Sequence, residues 1–470
     1  MQSNSLAAAH SCNAFVELDP LKTTRRGKPA KNSKRYSVFG STLTVALLIL
    51  AGCGGGSSGS SGTSGAPQVQ IPVTGITSAV QYSFDLGAVD GPSSTYYVTD
   101  RTNKSIDVFD IATLQLKAQF KPGFAGCILA NGAASPTCNS VGGVSVNNDA
   151  SGPDGLDIVG ANLYVGDVNK LWVLNKSTGA VLSSVSIPSS PTGLRADEGC
   201  FDAVHNIYAI ATPGDDNPFM TFLDTSVSNA PTVIAKVVMN SPDGTPSAGL
   251  EGCTFDAATN TFFLNNDGSN TAPNGEMNGI PAAAIMALKP AAPATVGAGA
   301  GGWQAAIAGA KVFALPALCD PTGIAIGPNN DIGAMCRPGT VGTRLDFVIL
   351  NKFTGATVAT VAGAGGGDQI TYDATSKRWY LADSRATVDG KSCGGGSATC
   401  VLTPKLVVVD GTSRVVVNSL SNGNNSHSVA VGGGYVFTPF TKPSATGGGS
   451  GIDANGAGSG GVLAWRTSAL

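Results

Sequence analysis

The chain has 470 residues, of which 42% are hydrophobic and 13% are charged. A chain of this length and composition buries a large core, which excludes an intrinsically disordered protein. Its formal net charge of −3 excludes a generally basic protein and disfavours nucleic acid as a partner, because phosphates are neutralised by Lys and Arg side chains.

The first predicted element is a targeting segment at residues 1–52. Seven basic side chains between residues 22 and 35 precede the apolar run VFGSTLTVALLIL, and Ala51, Gly52 and Cys53 follow it. This order resembles a bacterial lipoprotein signal peptide, which implies that Cys53 is lipidated and begins the mature chain. A transmembrane helix is the alternative, but the apolar run is too short to span a bilayer core of about 30 Å.

Residues 53–68 predict an anchor cysteine and a flexible tether, since residues 54–65 read GGGSSGSSGTSG and Gly/Ser chains behave as random coils. Gly54 after the cysteine resembles the pattern of lipoproteins sent to the outer membrane. We therefore expect a lipid-anchored protein of the bacterial cell envelope, at the outer membrane or the periplasmic face. Loss of residues 1–52 removes seven basic and two acidic residues, which leaves a net charge near −8 and again excludes nucleic acid.

Residues 69–470 are predicted to form one all-β domain of repeated modules. Residues 153–187 contain four β-type runs, GLDIV, NLYVG, KLWVLNK and AVLSSVSI, separated by residues that favour turns. This pattern predicts a four-stranded antiparallel meander. Such a unit repeated along a chain is the signature of a β-propeller, whereas seven similar modules in series are unusual in a β-sandwich.

The second strand of each module is the easiest to locate. Its occurrences are TYYVTD (95–100), LYVGD (163–167), IYAIA (207–211), TFFLNN (261–266), DIGAM (331–335), WYLAD (379–383) and YVFTP (435–439). They predict seven blades, with six as the alternative because the fourth and seventh modules depart from the pattern. If the ring closes with the usual overlap, VQIPV (69–73) completes the last sheet beside VLAWRTS (462–468).

The third and fourth strands share an apolar run, an Asp or Asn, a Thr/Ser/Gly turn and a second apolar run. YVTD with DVFDIATLQL, and YVGD with WVLNKSTGAVL, resemble the YVTN and NHL class of bacterial β-propeller repeats. The resemblance covers residues 80–468 and implies the propeller fold. It does not imply one function, because propellers of this class host unrelated roles.

Eight cysteines remain when Cys12 and the anchor Cys53 are set aside, and an even number favours disulfides in an oxidising compartment. A structural zinc site is disfavoured because the sequence has no C-x2-C motif. The spacing predicts four local bridges, which are Cys127–Cys138, Cys200–Cys253, Cys319–Cys336 and Cys393–Cys400.

The candidate site is one mouth of the central channel, where the first strand of each blade of a propeller begins. The residues at these starts are Asp154, Glu198, Glu251, Thr322, Asp368 and His427. Carboxylates forced together ionise with difficulty or share a cation, so we expect Asp154, Glu198 and Glu251 to hold a divalent cation, calcium or another, if one is bound. The alternative is that these groups cap strands and face water in the channel.

Two functions follow from these features. The first is a non-catalytic module that binds a protein, glycan or small ligand, because nucleophile and P-loop motifs are absent and long loops are inserted at 121–150 and 289–311. The second is a metal-dependent hydrolase, because an acidic channel mouth resembles that of gluconolactonase-type propellers. The sequence assigns no catalytic residue. We also expect Trp303, in the second insertion, to be exposed.

Overall fold

The computed structural model describes residues 68–269, 274–337, 345–387, 401–442 and 458–470. These residues form seven β-sheets arranged as a seven-bladed β-propeller, which confirms the all-β prediction and the higher of the two blade counts. The targeting segment, Cys53, the tether and the pair Cys393–Cys400 lie outside the described residues. Within the described ranges, no helix is long and apolar enough to cross a membrane.

The elements alternate short strands with turns, and two short helices lie in one insertion. The strands are β1 (Gln68–Pro72), β2 (Phe84–Asp90), β3 (Thr95–Asp100), β4 (Ser105–Asp110), β5 (Gln115–Phe120), β6 (Leu156–Val159), β7 (Asn162–Asp167), β8 (Lys170–Asn175), β9 (Val181–Ser186), β10 (Gly199–Asp202), β11 (Ile207–Thr212), β12 (Phe219–Asp224), β13 (Thr232–Val238), β14 (Leu250–Asp256), β15 (Thr261–Asn266), β16 (Glu276–Pro281), β17 (Ala294–Val296), β18 (Lys311–Ala314), β19 (Asp320–Ile326), β20 (Asp331–Arg337), β21 (Asp346–Asn351), β22 (Thr357–Ala362), β23 (Ile370–Asp373), β24 (Arg378–Asp383), β25 (Lys405–Asp410), β26 (Val416–Ser421), β27 (Ala430–Gly432), β28 (Tyr435–Phe440) and β29 (Gly461–Arg466). The helices are α1 (Ala282–Leu288) and α2 (Gly302–Ala306), with 3₁₀ turns at Asn148–Ala150, Lys289–Ala291 and Thr467–Ala469.

Each blade is an antiparallel meander, and the first strand of each blade contacts the first strands of both neighbouring blades. Blades 1 and 2 contain β2 to β5 and β6 to β9, and blade 3 contains β10 to β13 with β17 added in parallel. Blade 4 contains β14, β15, β16 and β18, while blades 5 and 6 contain β19 to β22 and β23 to β26. Blade 7 contains β27 to β29 together with β1. The first strands therefore surround the central channel.

The second strands form the core because a neighbouring sheet covers each of their faces. Every residue of β3, β7, β11 and β15 is buried. Aromatic side chains join adjacent blades, as where Tyr96 stacks on Phe437 with ring centroids 4.6 Å apart. The outermost strands instead contain exposed and half-buried residues, as in β9. This is expected for an edge strand with one solvent-exposed face.

The ring closes through the N-terminal strand, as the sequence predicts. β1 pairs antiparallel with β29, from Gln68 opposite Trp465 to Pro72 opposite Gly461. Ile71 is 1% exposed, whereas its neighbours Gln70 and Pro72 are half-buried, which is the alternation of a half-buried strand. The two ends of the described propeller are thus held in one sheet.

The prediction that Trp303 is exposed is wrong, since only 1% of its surface is accessible. It packs in a cluster that includes Ile234, Ile285 and Ile307. The chain between β16 and β18, which carries Trp303, is folded rather than an open loop, because it contains α1, α2 and the strand β17, which pairs with β13 of blade 3.

Three of the four predicted disulfides are present, and the fourth lies outside the described residues. Cys127–Cys138 closes a loop in the 121–150 insertion, and Cys319–Cys336 lies within blade 5. Cys200–Cys253 joins β10 to β14, so it links the inner strands of blades 3 and 4.

We expect removal of Cys200–Cys253 to destabilise the protein more than removal of Cys127–Cys138. The bridges close chain segments of 53 and 11 residues, and loop-closure entropy gives upper values of about 4 and about 3 kcal/mol. Paired Cys→Ser variants compared by urea unfolding without reductant measure both values. An equal or reversed order would contradict the assignment of Cys200–Cys253 as the link between blades.

Candidate functional site

Ionisable side chains from all seven blades meet at one end of the channel, in two clusters. They lie either near the start of a first strand or just after a second strand. We call this end the channel mouth, and its members are Asp85, Arg101, Asp154, Arg195, Asp197, Glu198, Glu251, Asp267, Asp320, Arg337, Asp368, Arg385 and His427.

In the first cluster, the buried Arg101 joins the acids of blades 1 and 2. Its Nη2 lies 2.6 Å from Oδ2 of Asp85, and its Nε donates a 2.7 Å hydrogen bond to Oδ1 of Asp154. Arg195 joins the same group, with Nη2 3.0 Å from Oδ2 of Asp197 and Nη1 3.7 Å from Oδ2 of Asp85. Burial raises the pKa of Asp85. The charges of Arg101, Arg195 and the neighbouring histidine lower it more and hold it well below its usual value.

The same cluster contains a possible cation-binding group. One ligand atom from each of Asp85, Asp154 and Asp197 lies within 4.8 Å of the others. Oδ2 of Asp154 and Oδ1 of Asp197 are buried without a hydrogen-bond partner. Arg101 and Arg195 contact these carboxylates, however, so a divalent ion bound here would lie beside two guanidinium groups. The residues therefore fit a dication poorly.

In the second cluster, Arg337 joins the acids of blades 4, 5 and 6. Its Nη2 lies 2.5 Å from Oε1 of Glu251, and its Nη1 and Nε lie 3.5 Å from Asp368 and 3.6 Å from Asp320. Burial lowers the pKa of Arg337, but the charges of the four neighbouring acids raise it more. The pKa of Arg337 therefore lies well above its usual value. Glu251, predicted as a metal ligand, is therefore an ion-pair partner of an arginine.

Glu198, the other predicted metal ligand, lies between the two clusters. It is 7% exposed, and none of the hydrogen bonds and ion pairs among the described residues involves its carboxylate. Burial, together with the charges of Asp197 and Glu251, raises its pKa well above its usual value. Within the described part of the chain, Glu198 is thus a buried acid without an arginine or lysine partner.

His427 and Thr322 differ in their relation to the mouth. The His427 ring stacks on Phe84 at 4.6 Å, its Nδ1 lies 2.7 Å from the Asn425 carbonyl oxygen, and its Nε2 lies 3.6 Å from Asp85. The buried Thr322 hydroxyl donates a hydrogen bond to the Gly367 carbonyl. Thr322 therefore links blades 5 and 6, whereas His427 faces the first cluster.

We expect His427 to stabilise the folded protein more at acidic than at alkaline pH. Burial lowers its pKa, but the carboxylates of Asp85 and Asp368 raise it more, so the folded value exceeds 6.5. A raised folded pKa contributes stability that is complete below about pH 6.5 and is lost as pH rises through the folded pKa. Urea unfolding of His427→Gln at pH 5.5 and pH 9 checks this. A deficit equal at both pH values would contradict it.

The sequence interpretation missed most of the positive side chains and several acids of the mouth. Asp85 begins the first strand of blade 1, in the same column as the predicted acids. Arg101, Arg337 and Arg385 each end a second strand or follow it closely, after TYYVTD, DIGAMC and RWYLADS. A recurrent arginine at this position is a signal that the sequence contains. Pairing between it and acids of other blades becomes evident only in three dimensions.

Comparison with known proteins supports the fold. No protein-family model matches the chain, and no curated protein matches it. Among solved structures, it is similar to a chain of the mitotic checkpoint complex, with 10% identity, a TM-score of 0.50 and coverage of 89% of this chain and 99% of that one. It also aligns with the hydrazine synthase of Kuenenia stuttgartiensis, with 11% identity, a TM-score of 0.49 and coverage of 77% and 93%. At 10% identity the first likeness indicates a shared fold, and the resemblance to YVTN and NHL repeats stays a prediction.

Proposed function

We propose that the chain is a membrane-tethered β-propeller of the bacterial cell envelope that acts as a ligand- or protein-binding module through its channel mouth. The observation that carries this proposal is the pairing of mouth acids with arginines from other blades, above all Arg101 with Asp154 and Arg337 with Glu251. Such pairs fix charged side chains in place at a concave surface, which favours recognition of a polar partner.

The 121–150 insertion supports recognition at the mouth because it reaches the first cluster. The Arg195 backbone N–H donates a 2.7 Å hydrogen bond to the Asp149 carbonyl, and the two side chains lie 3.5 Å apart. Cys127–Cys138 restrains this insertion. Recognition commonly resides in loops that a rigid scaffold holds, and a chain of similar fold is a component of the mitotic checkpoint complex.

A metal-dependent hydrolase of the lactonase type is the second candidate. The group formed by Asp85, Asp154 and Asp197 favours it, since these carboxylates lie within 4.8 Å and oxygen ligands suit hard cations. The contacts of Arg101 and Arg195 with these acids oppose it. We therefore place binding first.

Lactone hydrolysis and metal-dependent stability separate the two functions. The purified chain is mixed with a panel of lactones in the presence of Ca²⁺, Mg²⁺, Mn²⁺ or Zn²⁺, and its thermal midpoint is recorded in each metal. A binding module shows neither turnover nor a metal-specific rise in midpoint. Turnover that needs one metal, and that Asp154→Asn abolishes while the control Asp110→Asn, at the end of β4, leaves it intact, would overturn the proposal.

The tether has its own test. Cells that express the chain are grown with radiolabelled palmitate. We expect the chain to become labelled, because the apolar run followed by Cys53 resembles a lipoprotein signal. Cys53→Ala should lose the label, and Cys12→Ala, a cysteine in the same targeting region, should keep it. Label that persists in Cys53→Ala would contradict lipid anchoring at this residue.

A further inference from the structure

A cavity of about 100 Å³ lies in the channel just inside the mouth. Glu198 and Asp368 line it, together with Leu86, Leu156 and Ile370, and most of its surface is polar. A buried water needs about 10–15 Å³ of such space, so the cavity accommodates several waters or a short chain of heavy atoms. It therefore offers carboxylate oxygens and a few apolar contacts to one small guest.

The charge at this cavity calls for a cation. Glu198 is buried and is not paired by any arginine or lysine of the described part of the chain. Oδ1 of Asp368 is buried without a hydrogen bond and lies 3.5 Å from Nη1 of Arg337. At the mouth as a whole, eight described carboxylates face four arginines. A buried carboxylate without a counter-charge is costly, and a bound cation relieves that cost.

The geometry favours an organic cation over a divalent metal ion at Glu198. A divalent ion needs several oxygens that converge within about 2.6 Å of one point. Among the described residues, the group of acids whose ligand atoms lie close together is Asp85, Asp154 and Asp197, which excludes Glu198. An ammonium group needs only acceptors for its three N–H donors, and Leu86, Leu156 and Ile370 provide contacts for a short attached alkyl chain.

We propose that the channel cavity binds a primary alkylammonium group, with its charge on the carboxylates of Glu198 and Asp368 and its alkyl chain against Leu86, Leu156 and Ile370. The proposal rests on the proposed binding function and names the chemistry of its ligand. The group is presented either by a free alkylamine or by a lysine side chain of a peptide, since both have the same ammonium head and a short methylene chain.

Isothermal titration of the full chain with n-butylammonium tests the proposal, with 1-butanol as the neutral analogue. We expect saturable binding of the ammonium and none of the alcohol. Glu198→Gln keeps the shape of the side chain and should weaken binding by about tenfold or more, because the hydrogen-bond acceptor loses its negative charge. The matched control is Glu276→Gln in β16, whose carboxylate accepts a hydrogen bond from Asn278, and it should bind like the wild type.

Further titrations distinguish a free amine from a peptide lysine as the source of the ammonium group. Tighter binding of Nα-acetyl-lysine amide than of n-butylammonium supports a peptide source, and the reverse order supports a free amine. No binding of either probe, equal binding by Glu198→Gln, or displacement of the probe by stoichiometric Ca²⁺ would overturn the proposal. Asp368→Asn provides a second variant if Glu198→Gln does not fold. If the chain binds no amine and also hydrolyses no lactone, the ammonium proposal fails while the proposed binding function stands. The failure of one proposal is therefore distinguishable from the failure of the other.

Discussion

Replacement of Arg101 by methionine is expected to lower the free energy of unfolding by about 3–5 kcal/mol. Arg101 is 5% exposed, and its guanidinium contacts the carboxylates of Asp85 and Asp154. Without it, two buried acids lose their main counter-charge, and the native state must either protonate them or leave them unpaired. Urea unfolding at pH 7, followed by tryptophan fluorescence, measures the change.

Two further variants show whether the loss comes from unpaired charge. Arg466→Met removes an exposed arginine whose guanidinium lies 5.1 Å from the Tyr435 ring, and it should cost less than about 1 kcal/mol. Adding Asp154→Asn to Arg101→Met should recover part of the stability. A loss below about 1 kcal/mol for Arg101→Met, or no recovery in the double variant, would show that the cluster is not an ion-paired core.

Replacement of Ile71 by alanine is expected to cost about 2–5 kcal/mol. Ile71 is 1% exposed and packs with the cluster that includes Phe437 and Val462. It lies on β1, which completes blade 7 and so closes the ring. A cavity at this point weakens the contact that holds the two ends of the propeller together. Chemical unfolding measures the loss.

Val69→Ala is the matched control because Val69 lies on the same strand and is 40% exposed. It should change the free energy of unfolding by no more than about 0.5 kcal/mol. Equal effects of the two substitutions would contradict the burial of Ile71 at the junction that closes the ring.

The fold could be predicted because its signal is local and repeated. TYYVTD coincides with β3, and VQIPV (69–73), predicted to pair with VLAWRTS, overlaps β1 in all but one residue. Each second strand is an apolar run between turns, so neither the choice of strand nor its limits depends on distant residues. The prediction for Trp303 failed for the opposite reason. Its burial depends on the pairing of β17 with β13, a strand that lies far away in the chain.

The candidate site could be predicted in part. The column of acids at the first strands contains Asp154, Glu198 and Glu251, and the side chains of these three residues lie at the mouth. Their partners could not be assigned, because Arg101 and Asp154 are 53 residues apart and Arg337 and Glu251 are 86 residues apart. Repulsion among acids suggests a metal ion, whereas arginines from neighbouring blades supply the opposite charge in the folded ring.

The most direct test of this account is the metal content of the purified chain. Equilibrium dialysis against Ca²⁺, Mg²⁺, Mn²⁺ or Zn²⁺, followed by elemental analysis, counts the bound ions per chain. If Arg101, Arg195 and Arg337 neutralise the mouth acids, each metal should remain well below one equivalent. One equivalent of a single metal, lost in Asp154→Asn and retained in Asp110→Asn, would contradict the account.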